Sequence, residues 1–553
     1  MLITSQVLTR LPETPNRYHD DPGLGRLLKV HLTSEARNWA DPVLDRMGAA
    51  SAGVLDELSH VADKNPPRLA PRDRFGNRVD HLEFHPAYRE MQRIAYGEGI
   101  VGAYYDPQVR QVLKAGREAV KFAQGYLFAQ AEQGLYCPVC MTDGAAYLIE
   151  KYATAEQRGR FLPRLTSRDP DTLWEGAMFL TEKAGGSDVG ATETVAHPQS
   201  GDRYALSGEK WFCSNAGAEL VMVLARPVGA PEGTTGLGLF AMRRHLEDGR
   251  LNHLHLERLK DKLGTRSMPT GEVILNGSEA ESIGKLSRGF VQMADMLNIS
   301  RLYNATASVA VMRRATTESV RYAAVRHTFQ KALIFYPMVQ AKLVELATEQ
   351  EAALHLMFWL YRWRGKALCD TADPSQLQLL RMFTPIAKLT TGRQAVWAAS
   401  EAVELHGGCG YIEDWPLARL FRDAQVLPIW EGTTNILALD TVRSLAKENC
   451  HEAFLAFVEQ HNQDESVKLA AAELKASVPR LVQQPQEPAS LNWCWQASRV
   501  LQATLLQMTA TEERARLVAE QYLRRHFASD RTSLTPSWLD HAGTHYTQLL
   551  GLP

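Results

Sequence analysis

Residues 176 to about 283 carry a different periodicity from everything around them. In GDRYALSGEKWFCSNAG (201–217) a GD turn and an SG turn separate short alternating runs. AELVMVLARPV, TGLGLFAMRR and GEVILNG follow as further short apolar runs bounded by Gly, Pro or Asn. Alternation with period two and frequent turn residues calls for strands, so this block reads as a β-domain of about a hundred residues. From about 45 to 170 the spacing is helical, as in VRQVLKAGREAVKFAQGYLFAQAEQG (109–134), where apolar residues recur at three and four. The polar, Pro-rich stretch DKNPPRLAPRDRFGNRVD (63–80) is expected to be a loop. Helical patterns return from 287 to 445. SRLYNATASVAVMRRATTESVRYAAVRHTF is long and Ala-rich, and QLQLLRMFTPIAKLTTGRQAVWAASEAVELHGGCGY ends in a Gly cluster that stops a helix. In the tail, VPRLVQQPQEPAS (478–490) is expected to divide two helical parts. The expected fold class is mainly α with a middle β-domain. The segments are an N-terminal extension (1–45, with turn clusters at Pro12–Asn16 and Asp20–Gly25), a helical domain (46–175), the β-domain (176–285), a helical bundle (286–445) and a helical extension (446–553).

A chain of 553 residues is too long for one core. Its net charge of −2 points to neither nucleic acid nor an anionic membrane. The N-terminus lacks a signal-peptide apolar core, and no apolar run approaches the roughly 20 residues of a spanning helix, so a soluble cytoplasmic protein is expected, without a membrane partner. Seven cysteines in so long a chain suit a reducing compartment. Cys137-Pro-Val-Cys140 has no second CxxC and no His pair nearby, which favours a buried structural pair over a working dithiol or zinc site. His253-Leu-His255 is better explained by strand alternation, and no metal site is expected. A GxGxxG after a strand, a P-loop and a GxSxG elbow are all absent.

Three stretches carry candidate chemistry. MFLTEKAGGSDVGATET (178–194) is an apolar strand followed by a loop of hydroxyls, glycines and backbone N–H groups suited to a polar heterocycle edge or a phosphate, although a plain hairpin turn explains its composition equally. GEKWFCSN (208–215) sets aromatics beside hydroxyls. LPIWEGTTNI (427–436) places one carboxylate, Glu431, among apolar residues.

Taken in order, these stretches resemble the acyl-CoA dehydrogenase family of flavoproteins. MFLTEKAGGSDV is similar to the family's flavin-contacting TEP-x-AGSD loop, with Lys183 in place of proline, and KWFCSN (210–215) to its W-I-T-N strand. DKLGTRSMPTGEVILNG (261–277) resembles the K-x-G-x-R-x-S segment. VRHTFQKALIFYPMVQ (325–340) resembles the R-x-x-F-G helix segment that reaches the flavin of a neighbouring subunit. ELHGGCGYIEDWPLARLFRDAQVLPIWEGTTNI (404–436) resembles the Q-x-x-G-G-x-G-Y…RD…YEGT block. ADKNPPRL…FHPAYREM (62–91), CPVCMTDGA (137–145) and the C-terminal extension point to the AidB-type, adaptive-response branch.

The resemblance implies a helical N-terminal domain, a β-barrel-like middle domain and a C-terminal four-helix bundle, with FAD between the last two. It implies an FAD-dependent acyl-CoA dehydrogenase in which Glu431 removes a proton from Cα of an acyl thioester and Cβ gives hydride to flavin, yielding a trans-2-enoyl-CoA. Such a base is helped by an apolar setting that raises its basicity. The cofactor-binding residues implied are Met178, Leu180, Thr181, Gly186, Ser187, Phe212, Ser214, Glu404, Trp430, Thr433 and Asn435, joined from a partner subunit by Arg326, Phe329, Gly407 and Gly408. Ser187, Asn298, Arg301, Trp430 and Gly432 are implied at the acyl-CoA site. Glu404 stands where most relatives have Gln, Pro337 where many have Gln, and Asn298 where the family has Asp.

The family forms dimers of dimers, so a homotetramer is expected, with electron-transfer flavoprotein the natural electron acceptor. The AidB-type branch also includes a DNA-binding member, which makes a DNA-shielding flavoprotein with weak or vestigial dehydrogenase activity the alternative. Residues 446–553 hold ten Lys and Arg against twelve Asp and Glu, and their one basic cluster (Arg514, Arg516, Arg524, Arg525) reads equally well as a solvated helix face, so nucleic acid ranks second as a partner.

Overall fold

A computed structural model describes residues 15–552. Pro12 and the rest of the first 14 residues of the expected extension lie outside the described residues. The chain divides into two compact units: Val54–Arg110 with Ala131–Tyr303, and the segments up to Gly53, Gln111–Gln130 and from Asn304 onward.

The first unit is built on a seven-stranded sheet. Leu220–Pro227 is bordered on one edge by Gly176–Phe179 and Val195–Pro198, both parallel to it, and on the other by the antiparallel Gly238–Arg243. Val195–Pro198 pairs with Arg203–Ser214, which pairs with Thr270–Ser282, which pairs back to Gly238–Arg243. Five strands therefore close a ring, and closure removes the exposed edges of an open sheet. Leu254–Leu259 adds to the outside of Thr270–Ser282. The core runs through Leu206, Met222, Phe240 and Val273 into Leu148 and Ile149 of the Tyr136–Tyr152 helix. That helix lies close because Gly176 has no side chain: a Cβ there would sit 2.9 Å from the Met141 carbonyl oxygen. Cys140 is buried on it, its thiol donating to Ser300 Oγ at 3.4 Å, while Cys137 is half-buried and both are free thiols.

Residues 63–80, expected to be a loop, instead end the Val54–Lys64 helix and enter a hairpin of strands Arg68–Arg72 and Arg78–Glu83. Leu69 faces Leu82 across it, and Asp73 accepts from the backbone of Phe75 and Asn77 to close the turn. The Pro-rich composition hid this local pairing. The run at 109–134 is also not one helix. It breaks over Lys114–Gly116, where the Ala115 carbonyl presses against Gly365, at which an added Cβ would lie 1.9 Å away.

The second unit rests on long helices. Gly289–Val325 supplies the first of these from Asn304 on, and Pro337–Leu368 and Pro374–His406 follow. The last starts where the Asp373 carboxylate accepts from the Gln376 N–H and stops at Gly407, whose φ is 58°. The tail forms five helices, Cys450–His461, Glu465–Gln483, Pro488–Met508, Glu513–His526 and Ser537–Leu550, rather than two parts. The expected break falls only at 484–487, because Pro479 is accommodated inside a helix.

Pro337–Leu368 is buried on most of its surface and still carries acids. Glu351 receives two hydrogen bonds from Arg514, at 3.1 and 2.7 Å, and one from Arg26 of the Pro22–His31 helix. Arg26 also donates to His355 Nε2 at 3.0 Å, and His355 Nδ1 meets Thr509 Oγ1 at 3.1 Å. Burial and Arg26 press His355 down to about 3, so the ring is neutral and Nδ1 carries the proton. Burial alone would raise the Glu351 carboxyl, but Arg514 and Arg26 outweigh it and hold it well below the usual range. Glu118, ringed by Lys121, Arg364 and Arg117, is held at about 2 in the same way. A carboxyl with a depressed folded pKa binds fewer protons when folded, so its contribution is whole at neutral pH and fades as pH falls below about 4. We expect Glu351→Gln to lower stability by about 3–5 kcal/mol, since two buried guanidinium groups lose their counter-charge. The variant should also show a shallower loss between pH 4 and 2 than the parent, on the order of one carboxyl's share. Thermal unfolding across that pH range checks both, and an unchanged midpoint at neutral pH would refute the assignment.

Candidate functional site

In the β-containing unit the MFLTEK strand ends and its loop begins at a buried ion pair. Glu182 is 5% exposed and Lys210 is fully buried. Lys210 Nζ donates to Glu182 Oε1 at 2.6 Å and to the Leu224 carbonyl at 3.0 Å. Glu182 also accepts from the backbone N–H groups of Glu193 and Thr194 and from the Thr194 hydroxyl. Burial pulls Lys210 below its ordinary value; it opposes the charge on Glu182 too, but Lys210 and the other donors keep that carboxyl low. The pair, with the Trp211 N–H on the Thr181 carbonyl at 2.9 Å, fastens the loop to the Arg203–Ser214 strand. Past this anchor Lys183 through Asp188 are exposed, so Gly186 and Ser187 present backbone and hydroxyl outward. Thr181, Met178 and Leu180 are half-buried at the base. Phe212 is 55% exposed on its strand, which a core-strand reading would not give, and Ser214 is half-buried. Lys260 Nζ lies 3.4 Å from the Trp211 ring centre and 4.7 Å from that of Phe212. Asn298 and Arg301 lie half-buried on one face of Gly289–Val325, Arg301 Nη1 donating to Asn298 Oδ1 at 3.2 Å.

In the helical unit Glu431 sits in a tight turn. Its φ is 58°, a left-handed conformation that a residue with a side chain adopts only when its surroundings impose it, and Gly432 follows at 108°. Three contacts hold this turn. The fully buried Lys388 donates to the Gly432 carbonyl at 2.6 Å, and Asn304 donates to the Leu427 carbonyl at 3.1 Å. Gly392 lets the same carbonyl close in, since a Cβ there would lie 3.2 Å from it. Glu431 and Trp430 are half-buried, and the indole N–H of Trp430 is buried with no hydrogen-bond partner. The Thr434–Glu448 helix starts beside them. Its first N–H groups form a positive helix end, and Thr433 and Asn435 are exposed there, the Thr433 hydroxyl not used as a cap.

The segment expected to be a helix carrying Arg326 and Phe329 is not one. The long helix ends at Val325, and His327–Thr328 pairs with Lys331–Ala332 around a turn whose two residues, Phe329 and Gln330, have φ of 49° and 66°. Two consecutive left-handed residues close a two-residue hairpin and project Phe329, which is 95% exposed. This hairpin belongs with the Gly cluster. Leu405 packs with Ala323, Ala332 and Ile334, and Tyr322 stacks on His406 at 4.3 Å. Arg326, Glu404, Gly407 and Gly408 are all exposed there.

Sequence reasoning missed Glu182, Lys210, Lys388 and Asn304. Two left a signal: Lys388 is a lone charge in the apolar run TPIAKLTT, and Lys210 occupies an inward position of an alternating strand.

Three matches to described families follow one another between residues 13 and 446: "Adaptive response protein AidB N-terminal domain" over residues 13–172, "Acyl-CoA dehydrogenase, middle domain" over 177–278, and "Acyl-CoA dehydrogenase, C-terminal domain" over 287–446. "Acyl-CoA dehydrogenase family member 11" of Caenorhabditis elegans is 35% identical over 85% of this chain and 78% of its own length. "Putative acyl-CoA dehydrogenase AidB" of Escherichia coli K12 is 33% identical over 83% of each. The solved structure of Caenorhabditis elegans ACDH-11 in complex with C11-CoA superposes with a TM-score of 0.86 at 32% identity, covering 95% of this chain and 93% of that one. The chain belongs to the acyl-CoA dehydrogenase family, in its AidB-type branch, and is an FAD-dependent oxidoreductase acting on acyl-CoA.

Proposed function

We propose that this protein is an acyl-CoA dehydrogenase that forms a trans-2-enoyl-CoA, with Glu431 as the base. The observation that carries the reading is the left-handed turn at Glu431, held by Lys388, Asn304 and Gly392. A strained backbone kept in place by buried partners is the mark of a side chain that must point one way.

The residues present fit the cofactor. Trp430 offers a buried N–H with no partner, the Thr434–Glu448 helix offers free backbone donors, and the 183–188 loop and Phe212 offer exposed hydroxyl, glycine and ring surface. Met178, Leu180, Thr181, Gly186, Ser187, Phe212 and Ser214 would hold it from the β-domain, and Trp430, Thr433 and Asn435 from the bundle. Bound FAD supplies the acceptor for the hydride that leaves the substrate's β-carbon. Glu431 takes the α-proton onto its carboxylate. Its own backbone N–H, aimed by the turn, stabilises the developing enolate oxygen. Trp430, the neighbouring half-buried indole, would wall the acyl pocket. Gly432 leaves room for the thioester, and Ser187, Asn298 and Arg301 would bind the rest of the acyl-CoA. A relative's complex with C11-CoA supports that substrate class.

Arg326, Phe329, Glu404, Gly407 and Gly408 would serve a second copy. Support comes from the apolar surface around them, with Phe329, Met338 and Tyr411 95%, 87% and 84% exposed. The tail's basic cluster gives DNA binding little to use. Arg514 is committed to Glu351, Arg525 to Glu345 and Glu349, and Arg524 to Glu520.

Anaerobic addition of an acyl-CoA panel should bleach the yellow flavin, and Glu431→Gln should abolish bleaching while keeping the flavin spectrum. Full bleaching by the variant, or none by the parent at any chain length, would refute this function. Lys210→Met strands a buried carboxylate at a cost of about 3–5 kcal/mol and unfastens the 183–188 loop. The purified variant should therefore carry less FAD per protein by absorbance, and a parent-like ratio would show that the pair does not position the loop.

A further inference from the structure

Phe212 faces outward because its strand carries one residue too many. Along Arg203–Ser214, Lys210 pairs with Val273 and Cys213 with Gly271, so Trp211 and Phe212 together oppose the single residue Glu272. Strict alternation from the buried Lys210 would send Phe212 into the core. The extra residue instead leaves Trp211 half-buried and Phe212 exposed, and Cys213 is buried again. Bulges of this kind re-aim side chains and gather next to active sites. A second irregularity answers it across Thr270–Ser282. There Leu256 pairs with Val273 and Arg258 with Glu272, with Glu257 inserted between them. Both irregularities meet at Glu272.

Glu272 gathers charge at that point. Its Oε1 lies 2.6 Å from Lys260 Nζ and 2.7 Å from Arg258 Nη2. Burial opposes its charge, but Lys260 and Arg258 hold the carboxyl below its ordinary value. The Arg258 side chain is 59% exposed, whereas that of Lys260 is 10% exposed. The Lys260 backbone is itself fixed, its N–H donating to the Thr270 carbonyl at 2.8 Å. The ammonium then rests on both aromatic rings, 3.4 Å from the centre of Trp211 and 4.7 Å from that of Phe212. One carboxylate set against two cations leaves a unit of positive charge in the cluster, and the better-buried cation is the one on the rings. The nearest further charges are Lys183, 5.0 Å from the Trp211 ring centre, and Glu209, 3.8 Å from Lys183; both side chains are exposed and offset each other.

We propose that Lys260 is a positioning residue for hydride transfer. With Phe212 as a flavin contact, the reading on which this rests, Lys260 fixes that ring and keeps a positive charge on it, which raises the reduction potential of the bound cofactor. Hydride leaving the substrate carries negative charge to its acceptor, and a cation already fixed at the acceptor's wall favours its arrival. Glu272 and the two rings hold the ammonium in place beforehand, so no group has to reorient when the charge comes.

The test uses full-length, FAD-loaded protein with no acyl-CoA present, so its outcome does not depend on whether Glu431 is the base. The flavin is reduced with dithionite against a reference dye, and its midpoint potential is read from the two absorbances. Lys260→Met and Lys260→Gln should each shift the reduced-to-oxidised ratio about tenfold toward oxidised at a given dye potential, or about 30 mV for a two-electron couple. Arg258 still covers Glu272 in both variants, so both are expected to fold, which thermal unfolding checks. Lys260→Arg keeps the charge and should stay near the parent potential. Phe212→Ala should alter the visible flavin spectrum; an unaltered spectrum removes Phe212 as a flavin contact and the role of Lys260 with it. An altered Phe212→Ala spectrum together with a parent-like potential in Lys260→Met and Lys260→Gln overturns the role of Lys260 alone. A Lys260→Arg potential as low as that of Lys260→Met overturns it too, since the loss would then come from packing and not from charge.

Discussion

The helical unit depends on acids buried along one face-to-face helix and on cations brought to them from far away in the chain. Glu345, Glu349 and Glu351 lie within two turns of Pro337–Leu368, a helix with almost no solvated side. None of these charges is tolerable alone in such a setting. Arg26 comes from the first described helix, Arg514, Arg525 and His526 from the tail; Arg26, Arg514 and His526 each end on one of these acids and Arg525 on two. The same contacts that neutralise the helix therefore specify where the N-terminal helix and the tail must dock. Apolar packing alone tolerates sliding; a guanidinium with two bonds to a buried carboxylate does not.

The same device recurs at the chemistry. Lys210 on Glu182 sets the root of the 183–188 loop, and Lys388 on the Gly432 carbonyl sets the turn that carries Glu431. In both places the residue that would touch cofactor or substrate is exposed or half-exposed, and the residue that aims it is a fully buried lysine one layer behind. Exposed loops are mobile by default, so precision has to be supplied from the interior.

This division explains what could be read from the sequence. The helix–strand–helix order was legible because periodicity is a local property, and the motifs around Thr181, Phe212, Gly407 and Glu431 were legible because each is contiguous. The hairpin at 68–83 was not, since its pairing of Leu69 with Leu82 is masked by proline and charge. Nor was the hairpin at 327–332: two left-handed residues that are neither glycine nor asparagine carry no turn signature. The supporting lysines were invisible for a third reason. Lys388 stands 44 residues from the carbonyl it holds, and Lys210 stands 28 from Glu182. Long-range partners leave at most a misplaced charge in an apolar run.

The tail shows why a charge count and a structure answer different questions. By count it is slightly acidic, with one basic cluster, which leaves a nucleic-acid role open. In the fold Arg514 and Arg525 face inward as counter-ions for the acids of Pro337–Leu368, and Arg524 is paired on its own helix. Arg516, the fourth member of the cluster, donates to the Thr511 carbonyl. A basic surface for a polyanion needs many unpaired charges along one face.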